Sequence, residues 1–285
     1  IKFSAMLIFL SIWLLIVYVP VTHWVWGGGI LSSWGTMDFA GGIVVHATAG
    51  TAALVTALTL GKRRGFPKSI TPPHSPILTM IGASMLWIGW FGFNAGSALG
   101  ANGGAGMAML VTHISAATAS LVWMFIEWRR FGKPSLIGIV TGMVAGLATV
   151  TPASGYIGVP GGLVLGFFGG LFCYLAVDYI RGKLQIDDSL DVFAVHGVGG
   201  ILGTLLVAFL ATSTFSGLGL AEGQTAVSQF FIQLKAVVLT VVWTSIFTFL
   251  ILKITSFIVP LRVDEQEEIE GLDLRSHGEK GYHSD

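Results

Sequence analysis

The sequence predicts an all-α integral membrane protein, a polytopic helical bundle, on three observations. Of 285 residues, 53% are apolar and 11% charged, with a mean hydropathy of +0.80, whereas a soluble domain carries about 25% charged residues. Eight apolar runs approach or exceed the roughly 20 helical residues needed to cross a hydrocarbon core. Lys and Arg collect in every second loop between those runs.

The runs lie at about 3–20, 39–60, 75–97, 105–127, 135–152, 157–178, 192–212 and 227–259. The first begins almost at Ile1, with no basic n-region or small-residue cleavage site before it. That reads as a chain whose beginning is missing. The second opens MDFAGGIVVH and contains Asp38 and His46; the third ends WIGWFGFNAGSALG; the fourth contains His113. The fifth is short and glycine-rich, the poorest fit to a full crossing. The sixth carries Gly162, Gly166 and Gly170 at four-residue spacing and the only cysteine, Cys173. Small residues so spaced let helices approach closely in lipid, and a lone buried cysteine acts as a small hydrophobe, excluding an intrachain disulfide. The seventh holds DVFAVHGVGG with His196. The eighth is longer and nearly free of glycine, suiting a helix on the lipid-facing side, with Lys235 a little way in. Residues 1–259 therefore read as the membrane domain and 260–285 as a polar tail.

Cytoplasmic loops of membrane proteins accumulate basic residues. Lys62, Arg63, Arg64 and Lys68 follow the second span, Arg129, Arg130 and Lys133 the fourth, and Arg181 and Lys183 the sixth. The alternate loops, near 21–38, 98–104, 153–156 and 213–226, hold no Lys or Arg. Both ends are thus expected to be cytoplasmic. Fifteen basic residues balance fifteen acidic ones, which leaves no basic field for nucleic acid.

An ionisable group inside a span costs a few kcal/mol and is a functional candidate by default. Eight residues of helix would put Asp38 and His46 about 12 Å apart on one side. Alone, Asp38 reads as a helix-start carboxylate accepting N–H bonds, and His46 as a satisfied core histidine. His196, a second histidine set among small residues, makes a facing pair across a narrow pore the better reading. His113 lacks such a companion and reads as structural; Lys235 is expected to snorkel or pair locally. Trp24, Trp26, Trp87 and Trp90 fit an interfacial aromatic belt. An indole face beside a hydroxyl, as at Trp26 and Ser97, is also a way to hold a small bare cation.

Taken together, VWGGG, MDFAGGIVVHATAG, WIGWFGFNAGSALGANG, DDSLDVFAVHGVGGILG and the tail segment GLDLRSHGEKGY resemble the Amt/Mep/Rh ammonium transporter family, in its Amt branch. The resemblance implies eleven spanning helices, ten of them in two inverted five-helix repeats around a pore, assembled as a homotrimer. The chain matches the last eight, so its first repeat is incomplete. It further implies that Trp26 and Ser97 recruit ammonium, that Phe93 is the inner gate, and that His46, His196 and Trp90 line the pore. Asp38 would support the outer site, and Asp191 would lie at the cytoplasmic mouth. The Rh branch generally lacks the recruitment pair, which favours Amt over an Rh-type ammonia channel. The tail would dock on a neighbouring protomer and on nitrogen-signalling proteins of the PII type. Neither enzymatic activity nor a cofactor is implied.

An intact ammonium ion entering an apolar channel faces a large desolvation cost that ammonia avoids. The expected sequence is therefore recruitment of ammonium or its analogue methylammonium, loss of a proton near the gate, and passage of ammonia along the histidines. The principal rival is an ammonium sensor signalling through the tail. An intramembrane metalloenzyme would need a third ligand and a base, and no HExxH is present. A potassium channel would need a filter of the TVGYG type, also absent.

Overall fold

Eight principal helices follow the hydropathy pattern. The computed structural model describes residues 1–69 and 72–281; Tyr282, the last residue of the tail segment, lies outside the described residues. The helices are α1 (Phe3–Ser33), α2 (Gly42–Leu60), α3 (Pro76–Gly96), α4 (Gly103–Phe131), α5 (Leu136–Val150), α6 (Val159–Lys183), α7 (Phe193–Leu210) and α8 (Ala226–Ile258). No strand occurs among the described residues.

Seven of these are long and apolar enough to cross a membrane. The exception is α5, with 15 residues, about 22 Å of helix. It is wrapped by α3, α4, α6 and α7 and buried along most of its length, so a full apolar crossing is not demanded of it. Ser115 of α4 is a tight point of this packing. Its hydroxyl donates to the Gly146 carbonyl of α5 at 2.8 Å, and a Cβ on Gly166 of α6 would stand 2.6 Å from its carbonyl oxygen. Only glycine allows both helices to reach α4 there.

Local chemistry sets the helix ends. Ser75, Asn102, Ser135 and Thr225 each accept a first-turn N–H at the starts of α3, α4, α5 and α8, the expected use of N-cap residues. Within α1 the helix widens over Leu14–Tyr18, just before Pro20. Proline has no N–H to give the Ile16 carbonyl four residues back. The Trp243 indole of α8 takes that carbonyl instead, at 3.2 Å.

One face of α8 is buried and holds Gln229, Gln233, Thr240, Thr244 and Thr248; the other is exposed. Lys235 lies on the exposed side with its ammonium 3.5 Å from the centre of the Trp34 ring. His113 is exposed on α4 and pairs with the Trp87 ring at 5.1 Å. After α8 the chain turns back as a short helix, α9 (Glu265–Glu270). Arg262 joins it to α2: its guanidinium donates to the Leu60 carbonyl at the end of that helix and to Glu268, each at 2.9 Å. Glu268 also accepts the Arg64 N–H at 2.6 Å. The tail thus packs on its own chain, where composition alone suggests a solvated end.

Candidate functional site

Where α2 and α7 cross, their first turns meet. Both begin with a wide, five-residue-spaced turn, Gly42–Ala47 in one and Phe193–Gly197 in the other. Each turn holds one histidine, and each is capped from below by an aspartate. Asp38 is not itself helical: Gly41, at φ +119°, breaks the chain between it and α2. Continuous helix from Asp38 to His46 is thereby corrected. The Asp38 carboxylate instead accepts N–H bonds from Gly41, Gly42, Ile43 and Val44 at 2.6–3.1 Å and is 3% exposed.

Asp188 does the same for α7, accepting from Val192, Phe193 and Ala194. Taken singly, the acidic residues of the segment point to Asp191 and not to Asp188. The repeated spacing, an aspartate eight residues before each histidine and a glycine four residues after, was the signal available. Those glycines make the crossing. A Cβ at Gly50 would collide with the Gly197 backbone, and one at Gly200 would lie 2.5 Å from His46 Cβ.

The crossing brings His46 Nδ1 to 3.3 Å from His196 Nδ1, with ring centres 5.3 Å apart. Trp90 of α3 stacks on His46 at 5.4 Å and 18° and lies nearly parallel to His196. Its indole N–H is fixed by Thr151 Oγ1 at 3.0 Å, a partner the sequence did not single out. Phe93, one turn along α3, stands edge-on to Trp90 and 6.1 Å from His46. These four rings border a cavity of about 810 Å³ whose remaining lining is apolar, including Val45, Ala49, Met85, Leu86 and Val192. His46 is 3% exposed, and its Nε2 is buried without a hydrogen-bond partner among the described residues.

The outer pair is less closely joined. Trp26 is 45% exposed, with its N–H donated to the Asp38 carbonyl at 2.8 Å. Ser97 donates to the Phe93 carbonyl at 2.9 Å. Among the described residues no hydrogen bond links the two. With its N–H engaged, the Trp26 indole keeps its ring face for other contacts.

Asp191 pairs with Arg181 of its own chain, Nε to Oδ1 2.7 Å. Burial nevertheless pushes its carboxyl up to about 7; Arg181 opposes that rise and nearby Asp188 adds to it. Among the described residues no group of His, Cys, Asp and Glu is arranged to hold a metal ion.

A family model described as Ammonium Transporter Family matches residues 1–282. The chain is 48% identical over 284 residues to the ammonium transporter Amt1 of Archaeoglobus fulgidus, covering 99% of this chain and 71% of that protein. It is 46% identical over 282 residues to an ammonium transporter of Aquifex aeolicus, covering 99% and 65%. Among solved structures, Candida albicans Mep2 superposes with a TM-score of 0.84 at 36% identity, over 93% of this chain and 61% of that one. A protein described as Sensor Amt Protein gives a TM-score of 0.84 at 31% identity, over 92% and 67%. The chain spans about two thirds of the length of these relatives.

Proposed function

The chain belongs to the ammonium transporter family, and from that premise we propose that it conducts ammonium across a membrane, moving it as ammonia past His46 and His196. The observation carrying this reading is the 3.3 Å contact between the two imidazoles at the wall of an otherwise apolar cavity. If one Nδ1 donates to the other, the two rings expose one Nε2 acceptor and one Nε2–H donor. Ammonia, with one lone pair and three N–H bonds, satisfies both. An ammonium ion has only donors and no anionic partner on that wall, so its desolvation is not repaid. The orphaned Nε2 of His46, acceptor or N–H donor according to which ring donates across the pair, is a position such a guest would fill.

In this reading Trp26 and Ser97 bind the cation before it is stripped, the exposed indole contributing through its ring face. Phe93 closes the way inward, Trp90 orients both imidazoles by stacking, and Asp38 supports the outer site through Trp26. Deprotonation occurs between Trp26 and the histidines. Membrane domain 1–259 lies in the cell membrane with the Arg-rich loops and the tail, 260–285, on the cytoplasmic side. We assign a homotrimer as the working assembly. Asp191 faces the cytoplasmic mouth, and the tail, with its Arg262–Glu268 link to the end of α2, is where a PII-type regulator acts.

A second reading, ammonium sensing with little flux, draws on the likeness to the protein described as a sensor. Methylammonium uptake with simultaneous current recording, using the full-length protein in cells lacking their own transporters, separates the two. Saturable uptake supports conduction. Ammonium-dependent signalling without uptake supports sensing.

A further inference from the structure

We propose that Gln233 is a positioning residue for the outer entrance, because its amide grips both backbone groups of Met37 and so fixes Asp38, on which Trp26 and the His46 turn both depend. The inference rests on the conduction reading above and adds a residue to it.

Gln233 lies two turns into α8 and is 0% exposed. A glutamine amide offers two N–H donors and an oxygen with two lone pairs. All four are used. Oε1 accepts the Met37 N–H at 2.8 Å and the Gln229 side-chain N–H at 3.2 Å; Nε2 donates to the Met37 carbonyl at 2.7 Å and the Thr204 carbonyl at 2.9 Å. Holding the N–H and C=O of one residue at once imitates a neighbouring β-strand, so Met37 can neither slide nor rotate without breaking both bonds. Gln229, one turn earlier and 2% exposed, adds a bond to the Gly35 carbonyl at 3.0 Å. Residues 35–37 are therefore pinned to α8, and through Thr204 to α7, the helix of His196.

The next residue is Asp38. Its carbonyl receives the Trp26 indole N–H, and its carboxylate receives four N–H groups from the turn leading to His46. A shift of the Met37 backbone passes straight into both. The competing explanation is glue between helices, a usual role for glutamine in membranes. Glue explains the bond to Thr204; it does not explain why two of the four bonds close on a loop residue beside the capping aspartate.

The test compares Gln233→Leu, Gln233→Glu and Thr248→Val in the full-length protein. Thr248→Val removes a bond from α1 to α8, Trp13 Nε1 to Thr248 Oγ1, away from the entrance. Two quantities are read: methylammonium half-saturation against maximal uptake per folded protein, and hydrogen exchange over residues 36–46. Gln233→Leu should raise the half-saturation concentration by about threefold or more, the scale of one net hydrogen bond, and speed exchange at 37–44. Gln233→Glu, which as a buried, protonated carboxylic acid keeps an acceptor for the Met37 N–H and one O–H donor for its carbonyl, should recover part of both, and Thr248→Val should change neither. If Gln233→Leu does not reach the membrane, Gln233→Asn, one methylene too short to reach Met37, carries the same comparison. An unchanged half-saturation constant or unchanged exchange in the folded Gln233 variants overturns the proposal. Absence of transport in the parent overturns the conduction reading instead, and the exchange data still decide whether Gln233 holds Asp38 in place.

Discussion

Asp38 and Asp188 occupy equivalent places, each eight residues before a histidine and each with its carboxylate closed over the N–H groups of the wide turn that carries it. A carboxylate so placed satisfies donors that α-helical bonding leaves free at a helix start and complements the positive end of the helix. The same device at both ends of the α2–α7 crossing aims the two imidazoles at one another.

Removing the less obvious cap tests this. Asp188→Ala strands the N–H groups of Val192, Phe193 and Ala194, and one unsatisfied buried donor costs about 1–3 kcal/mol. Thermal unfolding in detergent should rank the parent above Asp188→Asn, which keeps one acceptor oxygen, and that above Asp188→Ala. Equal midpoints for the parent and Asp188→Ala contradict the capping role.

The glycines after the histidines set the spacing of the pair. Gly200→Ala places a methyl against the His46 Cβ and the Gly42 carbonyl, neither of which is the far end of a flexible side chain that could yield. Transport per folded molecule should fall by about tenfold or more, as expected when reacting groups are displaced by about 1 Å. Gly92→Ala is the control, since a Cβ there meets nothing within 4 Å. Equal effects from the two substitutions refute the close-packed crossing.

Much of this was legible because lipid leaves few options: backbone groups must be satisfied within the span, so long apolar runs such as that of α8 read directly as helices. The fifth run reads as a poor crossing, and α5 is short because neighbouring helices rather than lipid surround it. His46 and His196 stood out as ionisable groups among small residues. Asp188 did not, since three acidic residues crowd positions 187–191 and only the repeated spacing distinguishes one of them. Gln233 was illegible for a different reason. The two bonds that single it out go to backbone atoms 196 residues away at Met37, and no side-chain pattern records them.

Trp26 separates cation binding from ring packing. Trp26→Leu should weaken apparent affinity more than maximal flux. A cation–π contact contributes roughly 0.5–2 kcal/mol, which corresponds to about two- to thirtyfold in half-saturation concentration. An unchanged constant returns Trp26 to an aromatic belt.

Asp191 introduces a pH dependence near neutrality. Its folded value of about 7 lies above the ordinary aspartate value of about 4, so between these limits the folded protein holds a proton that the unfolded chain has released. Stability contributed by that proton is greatest toward pH 4 and declines as pH rises to 7. Asp191→Asn cannot titrate, and its apparent melting temperature should fall less between pH 5 and pH 7.5 than that of the parent. Parallel slopes count against a raised Asp191.

Conduction past paired imidazoles stands or falls on methylammonium uptake and current recorded together for the full-length parent, His46→Ala and His196→Ala at matched expression. Loss of either ring removes the donor and acceptor pair that favours ammonia over an ion. Both variants should assemble but change the ratio of charge moved to methylammonium taken up, or lose uptake. Unchanged uptake and an unchanged ratio in both variants would rule out conduction past His46 and His196.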